Sequence, residues 1–136
     1  MFITDNDYRV VIGAKALDAL SQVEADIRRE AEQIAISEAS GYLWPTYDVD
    51  ACFALKGTDR PARLVSVIVD ISLYHMAASL PSRMGYEVRE ERYRRAVQWL
   101  EDVSKGTIAV SLPRSVSTDA DGRNSFGSEP RMSYTW

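Results

Sequence analysis

Cysteine and histidine are almost missing from this sequence. Its 136 residues include one of each, Cys52 and His75. A disulfide framework needs cysteines in pairs and a zinc site needs several Cys or His ligands, so neither is expected within the chain. A lone cysteine also fits a reducing compartment. We expect no metal and no cofactor.

An excess of basic residues is missing as well. Sixteen lysines and arginines stand against twenty acidic residues, which leaves a net charge of −4. A protein that grips phosphate groups needs clustered Lys and Arg in excess. Nucleic-acid binding of that kind is therefore not expected.

Targeting and membrane segments are not evident either. The opening MFITDNDYRVVIG has no basic stretch followed by an apolar run, so no secretion signal is expected. The most apolar stretch, residues 64–81, falls short of the roughly 20 residues that span a bilayer, and Asp70 would lie near its middle. We expect a soluble protein that is made in a cytoplasm.

Catalytic and phosphate-binding motifs such as G-x-S-x-G and G-x-x-x-x-G-K do not occur. DVD at 48–50 and DADG at 119–122 are better explained as polar turns than as cation sites, because the spacing of a calcium loop is not met. Asp70 and His75 are five residues apart and thus about 140° apart around a helix, so they cannot form a dyad. We expect a protein that is not an enzyme.

Helical periodicity dominates the chain up to about residue 104. Thr4 or Asp5 is expected to begin a short helix that ends at Gly13, with one or two further turns after it. Three longer helices are predicted over residues 24–43, 61–81 and 85–106. The first of these is amphipathic, and its stripe has i, i+3, i+4 spacing: Ile27, Ala31, Ile34, Ala35, Glu38 and Tyr42.

The remaining segments are less regular. Residues 45–60 are predicted to form a loop with a short extended piece around Val49 to Phe53, and residues 107–113 a brief strand. The predicted fold class is mainly α, a small antiparallel bundle of three longer helices plus short N-terminal helices, with an extended C-terminal arm. Residues 1–113 form the helical domain and residues 114–136 the tail.

The stretch LVSVIVDISLYHMAASLP is apolar on nearly every side of a helical wheel. Only Ser66, Asp70 and Ala77 share a narrow small and polar sector. Such a helix must be buried almost all round, and a small chain with three main helices is expected to cover one wide face of it. We therefore predict that neighbouring subunits cover the rest.

A buried Asp70 requires a partner. Arg92 is the predicted one, because it lies within the apolar stripe of the following helix. We predict that this pair is a structural anchor, together with Tyr74 and Trp99. His75 is predicted to be a core histidine with its hydrogen bonds satisfied, among Leu64, Ile68 and Ile71. The stripe that holds Arg92 consists of Val88, Ala96, Trp99, Leu100 and Val103.

Arginines and glutamates alternate on the last predicted helix. Because opposite charges stand three or four residues apart, a solvated and self-paired face is favoured over a nucleic-acid-binding one. The residues are Arg89, Arg92, Arg94 and Arg95 with Glu87, Glu90, Glu91 and Glu101, and the expected pairs are Glu90–Arg94 and Glu91–Arg95.

The tail, residues 114–136, is rich in Ser, Asp and Gly and lacks periodicity, so it is expected to be disordered by itself. Large apolar residues on a flexible strip are what peptide docking requires. We predict a docking arm that becomes ordered on a partner, with a passive terminus as the alternative. Its anchors are Phe126, Met132, Tyr134 and Trp136.

Several stretches, taken together, carry a family resemblance. They are VIVDISLYHMAASLPSRM, RYRRAVQWLEDVSKGTIAVSLP, the FGS of the tail, the opening FITDNDYRVVIG, and AEQIAISEASGYLWPTYDV. The most telling combination is Asp70 and Tyr74 ahead of residues 92–106. The chain thus resembles, over nearly its whole length, the small head-completion or head–tail adaptor proteins of tailed phages and prophages.

The resemblance implies a subunit that assembles into a ring, usually of twelve copies, beneath the portal protein. The ring would extend the DNA channel and offer a docking platform to the next connector or tail protein. Genomic DNA would pass through without specific binding, which the acidic net charge would suit. The resemblance also implies a place in the virion after assembly in the host cytoplasm. The family has no catalytic residues to carry over. In such families the C-terminal segment commonly reaches the portal or a neighbouring subunit.

The alternative function is that of a helical, dimeric interaction or regulatory domain of a non-viral or prophage system. Its mass in solution would be that of a persistent dimer, indifferent to a portal ring.

Overall fold

The computed structural model describes residues 2–80 and 85–115. Within these ranges the chain forms five α-helices and no strand, which confirms the mainly α fold. The helices are α1 (Asp5–Leu20), α2 (Ala25–Leu43), α3 (Val49–Phe53), α4 (Ala62–His75) and α5 (Tyr86–Ser104), with short 3₁₀ turns at Gly57–Asp59 and Ala77–Ser79.

Helix α4 is the centre of the fold, and α1, α2 and α5 pack against it. Six of its apolar side chains are completely buried within the single chain, and Asp70 is only 4% exposed. The prediction that neighbouring subunits must cover this helix is therefore wrong. Helix α1 supplies an additional wall beside those of α2 and α5. The enclosed side chains are Leu64, Val67, Ile68, Val69, Ile71 and Leu73.

Helices α4 and α5 run antiparallel. Arg63, at the start of α4, lies over the ring of Trp99, near the end of α5, with 6.0 Å from guanidinium carbon to ring centroid. Asp70, further along α4, meets Arg92, which comes earlier in α5. Because positions early in one helix contact positions late in the other, the two helices run in opposite directions.

Helix α1 begins and bends where the sequence predicts. The backbone N–H of Thr4 donates to Asp7 Oδ2 at 2.7 Å, which forms one half of a capping box. Gly13 leaves the helical conformation with φ 86° and ψ 166°, so α1 consists of two helical segments. A positive φ of this size favours glycine because it has no Cβ.

Helix α2 agrees with its predicted range of 24–43, but its buried stripe differs from the predicted one. Small residues hold most of its buried positions, whereas Ile27 is 38% and Ile34 is 44% exposed. The buried apolar positions are Ala31, Ala35, Ala39 and Leu43.

Two predicted extended pieces are wrong. Residues 49–53 form the short helix α3, because the Asp48 carboxylate caps it by accepting a hydrogen bond from the Ala51 backbone N–H at 3.2 Å. Residues 107–113 form no strand, and pairing in this region is confined to a single antiparallel bridge between Tyr47 and Arg114.

Helix α4 ends six residues earlier than the predicted residue 81. Met76 has φ −104° and ψ 13°, outside the helical region, so His75 is the last helical residue. Pro81, which was expected to close the helix, lies outside the described residues.

Helix α5 agrees with its prediction, and Gly106 follows it with φ 82°. Ala96, Leu100 and Val103 are buried as expected. Val88 is 53% exposed, however, and its neighbour Arg89 takes the buried position instead. The apolar stripe of α5 therefore does not extend to its first turn.

Candidate functional site

Asp70 and Arg92 are in contact at the edge of the core. Arg92 Nε donates a hydrogen bond to Asp70 Oδ1 at 2.7 Å. The Asp70 side chain is 5% exposed and the Arg92 side chain 38%, so the pair joins the interior to the surface. The contact expected from the sequence is present, and its role as a structural anchor stays a prediction.

Arg89 lies beside this pair and is buried, with 8% exposure. Its Nε and Nη1 atoms are buried and have no hydrogen-bond acceptor in the described part of the chain. Burial lowers the pKa of Arg89, and the nearby Asp70 carboxylate opposes that shift. The prediction that Arg89 belongs to a solvated face is therefore wrong.

The outer side of α5 does carry the expected pairs. Arg94 Nη2 lies 3.5 Å from Glu90 Oε1, and Arg95 Nε lies 2.9 Å from Glu91 Oε2. These side chains are 40–72% exposed. Such pairs contribute little to stability, and they keep this face charged and solvated.

A second group of side chains surrounds Glu38 of α2; we call it the Glu38 cluster and define it as Glu38, Tyr74, His75, Tyr86 and Tyr93. His75 Nε2 lies 3.0 Å from Glu38 Oε1, and the Tyr93 hydroxyl donates to Glu38 Oε2. The Tyr74 ring stacks on the Tyr93 ring with centroids 4.1 Å apart, and the Tyr86 ring lies 6.1 Å from that of Tyr74. Burial and the Glu38 carboxylate raise the pKa of Tyr93.

His75 is not a core residue, contrary to the prediction. Its side chain is 25% exposed and is held by Glu38, because α4 ends at this residue and the surrounding helices no longer enclose it. Asp70 and His75 have different partners and form no dyad, as expected. Glu38 and Tyr93 were not predicted as site residues, although an acidic residue inside the apolar stripe of α2 was a signal that could have found Glu38.

A polar contact also fixes the N-terminal end of the fold. Arg60 Nη1 lies 2.6 Å from Asp7 Oδ2 and donates to the Phe2 carbonyl oxygen at 2.7 Å. Burial would raise the pKa of Asp7, but hydrogen bonds from Arg60 and Thr4 outweigh it, and the pKa is lowered. A surface pocket of about 380 Å³ lies beside this pair, and its apolar lining consists of Val10, Val11, Ala62 and Val65.

Large apolar side chains remain on the surface after the core has closed. They come from separate elements: α1, the turn after α2, the start of α5, and the outer side of α2. Aromatic side chains are enriched at protein interfaces. The residues are Val10 (77% exposed), Trp44 (65%), Tyr86 (56%), Val88 (53%), Ile34 (44%) and Ile27 (38%).

The remaining predicted features are placed as follows. Asp48 of the DVD turn caps α3, and Cys52 is buried, which raises the pKa of its thiol.

Over residues 2–80 and 85–115, no three His, Cys, Asp or Glu side chains are grouped so that they could hold a metal ion. None of the described helices is long and apolar enough to cross a membrane. DADG and the tail anchors Phe126, Met132, Tyr134 and Trp136 lie outside the described residues.

The fold and the surface define a small helical domain with a closed core and exposed apolar side chains on several elements. A family model described as "Bacteriophage Mu, Gp36" matches residues 2–127. The chain belongs to this bacteriophage protein family, which indicates a phage structural or morphogenesis protein. No curated protein and no solved structure matches the chain.

Proposed function

We propose that this chain is a non-catalytic subunit of the phage head–tail connector. Copies of it form a ring between the portal protein and the tail, extend the DNA channel, and offer a platform to the next connector or tail protein. Its place is the virion, after assembly in the host cytoplasm. The observation that carries the proposal is membership in a phage family over residues 2–127, nearly the whole chain.

The surface supports association between copies. A ring built from identical subunits needs two different contact surfaces on each of them. Trp44 follows α2 whereas Tyr86 and Val88 begin α5, so exposed apolar side chains are available on separate elements. The central helix is not one of these surfaces, since the chain itself encloses it.

The tail supplies a further contact in this proposal, as an arm that docks on the portal or on a neighbouring copy. Arg114 and Ser115, the last described residues, pack on the helical domain. The Ser115 backbone N–H donates to the Thr46 carbonyl oxygen at 3.1 Å. Removal of residues 116–136 leaves these contacts in place. The truncated chain is expected to keep its thermal stability and to lose binding to its partner, and retained binding would remove the tail from the mechanism.

The test is the mass in solution of the full chain, alone and with the portal ring of the same phage. We expect the chain to add to the portal as a closed set of copies. Tyr86→Ser combined with Val88→Ser should weaken that addition, and Lys15→Ala, an exposed position on α1, should not. A persistent dimer that ignores the portal would contradict the proposal and favour an interaction or regulatory domain.

A further inference from the structure

The Glu38 cluster presents aromatic rings to solvent next to a carboxylate. The rings of Tyr93, Tyr74 and Tyr86 follow one another, with 4.1 Å and 6.1 Å between successive centroids. Tyr86, at one end of this row, is 56% exposed. The Glu38 side chain, which accepts the hydrogen bond from Tyr93 at the other end, is 26% exposed. Ring faces and a carboxylate are therefore both accessible from solvent.

The negative charge of this surface is not balanced by a permanent positive charge of the described chain. The only ion pair of Glu38 in residues 2–80 and 85–115 is with His75, which is charged only when it is protonated. Glu87, directly after Tyr86, is exposed and forms no ion pair in the same ranges. The face of an aromatic ring attracts cations, and a nearby carboxylate adds to the attraction. The surface is therefore suited to a cation.

Arginine is the cation that this fold places on its aromatic rings elsewhere. At four rings a guanidinium carbon lies 4.8–6.0 Å from the ring centroid. Within the described part of the chain, no arginine lies in this way over the rings of the Glu38 cluster. A guanidinium both stacks on rings and pairs with carboxylates, so it matches both features of the surface. The four existing pairs are Arg28 with Tyr8, Arg60 with Phe2, Arg63 with Trp99, and Arg114 with Tyr47.

A second copy of this chain does not offer a suitable arginine among its described residues. Each of these arginines either contacts a carboxylate, an amide or a ring of its own chain, or is buried. The arginine is therefore expected to come from a different protein. The arginines already engaged or buried are Arg9, Arg28, Arg29, Arg60, Arg63, Arg89, Arg92, Arg94, Arg95 and Arg114.

We propose that the Glu38 cluster binds an arginine side chain of the portal protein. The inference rests on the proposed function, in which the portal is the different protein on which the ring assembles. The guanidinium lies on the exposed Tyr86 ring, and Glu38 and Glu87 supply the opposite charge. Val88, which is 53% exposed in the same turn of α5, adds apolar contact beside it. Arginine and tyrosine are both enriched among the residues that dominate binding at protein interfaces.

The test compares Tyr86→Leu with Tyr86→Phe in the full chain. Leucine keeps an apolar side chain but has no ring face, whereas phenylalanine keeps the ring. Both variants should melt close to the wild type, because the position is exposed. Tyr86→Leu should weaken binding to the portal ring at least about threefold, and Tyr86→Phe should restore most of that loss.

Charge is tested by a second pair of variants. Glu87→Gln should weaken binding to the portal and make it less sensitive to salt, because one attractive charge is removed. Glu30→Gln, an exposed position on α2, is the matched control and should do neither.

The guanidinium itself is tested without the portal. The ring proton resonances of Tyr86 are followed by NMR while acetyl-Gly-Arg-Gly-amide is added at millimolar concentration. They should shift, and the same peptide with the uncharged arginine analogue citrulline should have little effect.

Three results would overturn the inference. Portal binding by Tyr86→Leu equal to that of the wild type would mean that the portal does not use this ring. Equal responses to the arginine and citrulline peptides would mean that the surface does not recognise the charge. Loss of a bound cation from the Tyr86 ring, seen by NMR in the isolated chain when Arg83, Arg123 and Arg131 are replaced by Gln, would assign the site to this chain's own arginines beyond the described residues. A wild-type chain that does not bind the portal would contradict the proposed function, whereas the peptide measurement tests the guanidinium site by itself.

Discussion

Asp70 and Arg92 form an ion pair across the contact between α4 and α5, with 2.7 Å between Asp70 Oδ1 and Arg92 Nε. The carboxylate is almost completely buried, whereas the guanidinium reaches solvent. The pair therefore lets a charged residue stand in the middle of the most apolar helix of the chain. We expect the pair also to set the register of α5 along α4.

Asp70→Asn should lower the free energy of unfolding by about 2 kcal/mol. Breaking a buried pair leaves an uncompensated charge, and the exposure of Arg92 reduces the usual penalty. Urea unfolding of the isolated chain measures the effect. Glu91→Gln, which breaks the exposed pair with Arg95, is the control and should change stability by less than about 0.5 kcal/mol. Equal stability of the two variants would remove Asp70 from the role of anchor.

Acid should weaken the contact between Asp7 and Arg60. Because the pKa of Asp7 is lowered in the folded chain, its contribution is present above the pKa of the unfolded state and is lost as the pH falls through the folded value. Asp7→Asn should therefore be less stable than the wild type at neutral pH by about 1–3 kcal/mol. The difference should shrink on acidification, and thermal melts over a pH series measure it. A difference that does not change with pH would contradict this account.

The conformation of Gly13 can be tested against a second glycine. Gly13→Ala should destabilise the chain by about 1 kcal/mol or more, because φ of 86° is strained for a residue with a Cβ. Gly41→Ala is the matched control: Gly41 lies within α2, and a Cβ there would meet nothing within 4 Å. That substitution should stabilise the chain by up to about 1 kcal/mol. A Gly13→Ala variant that is as stable as the wild type, or more stable, would show that the bend in α1 is not required.

Tyr8 is completely buried, and its hydroxyl donates to Glu32 at 2.5 Å. Tyr8→Phe should cost about 1–3 kcal/mol, because Glu32 Oε2 loses its shorter hydrogen bond and keeps only the one from Arg28 Nε at 3.4 Å. Tyr86→Phe, at an exposed position, is the control and should be nearly neutral. Denaturant unfolding of both variants compares them, and a neutral Tyr8→Phe would mean that water replaces the lost donor.

Local patterns predicted the helices that carry the fold and the partner of Asp70. Capping residues and the helical period predicted three features: the bend at Gly13, the range of α2, and the end of α5 before Gly106. The helix signals lie within a few residues of the features they specify, so one sequence is sufficient to find them. Arg92 is 22 residues from Asp70, and it was found because it interrupts the apolar stripe of the following helix.

Features that depend on distant parts of the chain were predicted wrongly. The enclosure of α4 depends on where α1 packs, which no pattern within α4 reveals. The same limit applies to the first turn of α5, where Val88 and Arg89 are neighbours and only the packing decides which is buried. His75 was placed in the core because the early end of α4, at Met76, carries no proline or glycine signal.

The arrangement of copies on the portal distinguishes a connector subunit from every alternative. Class averages from electron micrographs of the full chain mixed with the portal ring of the same phage would show it. We expect a closed ring of copies that shares the portal's axis and leaves the channel open. Portal rings without added density, or dimers bound away from the axis, would contradict it.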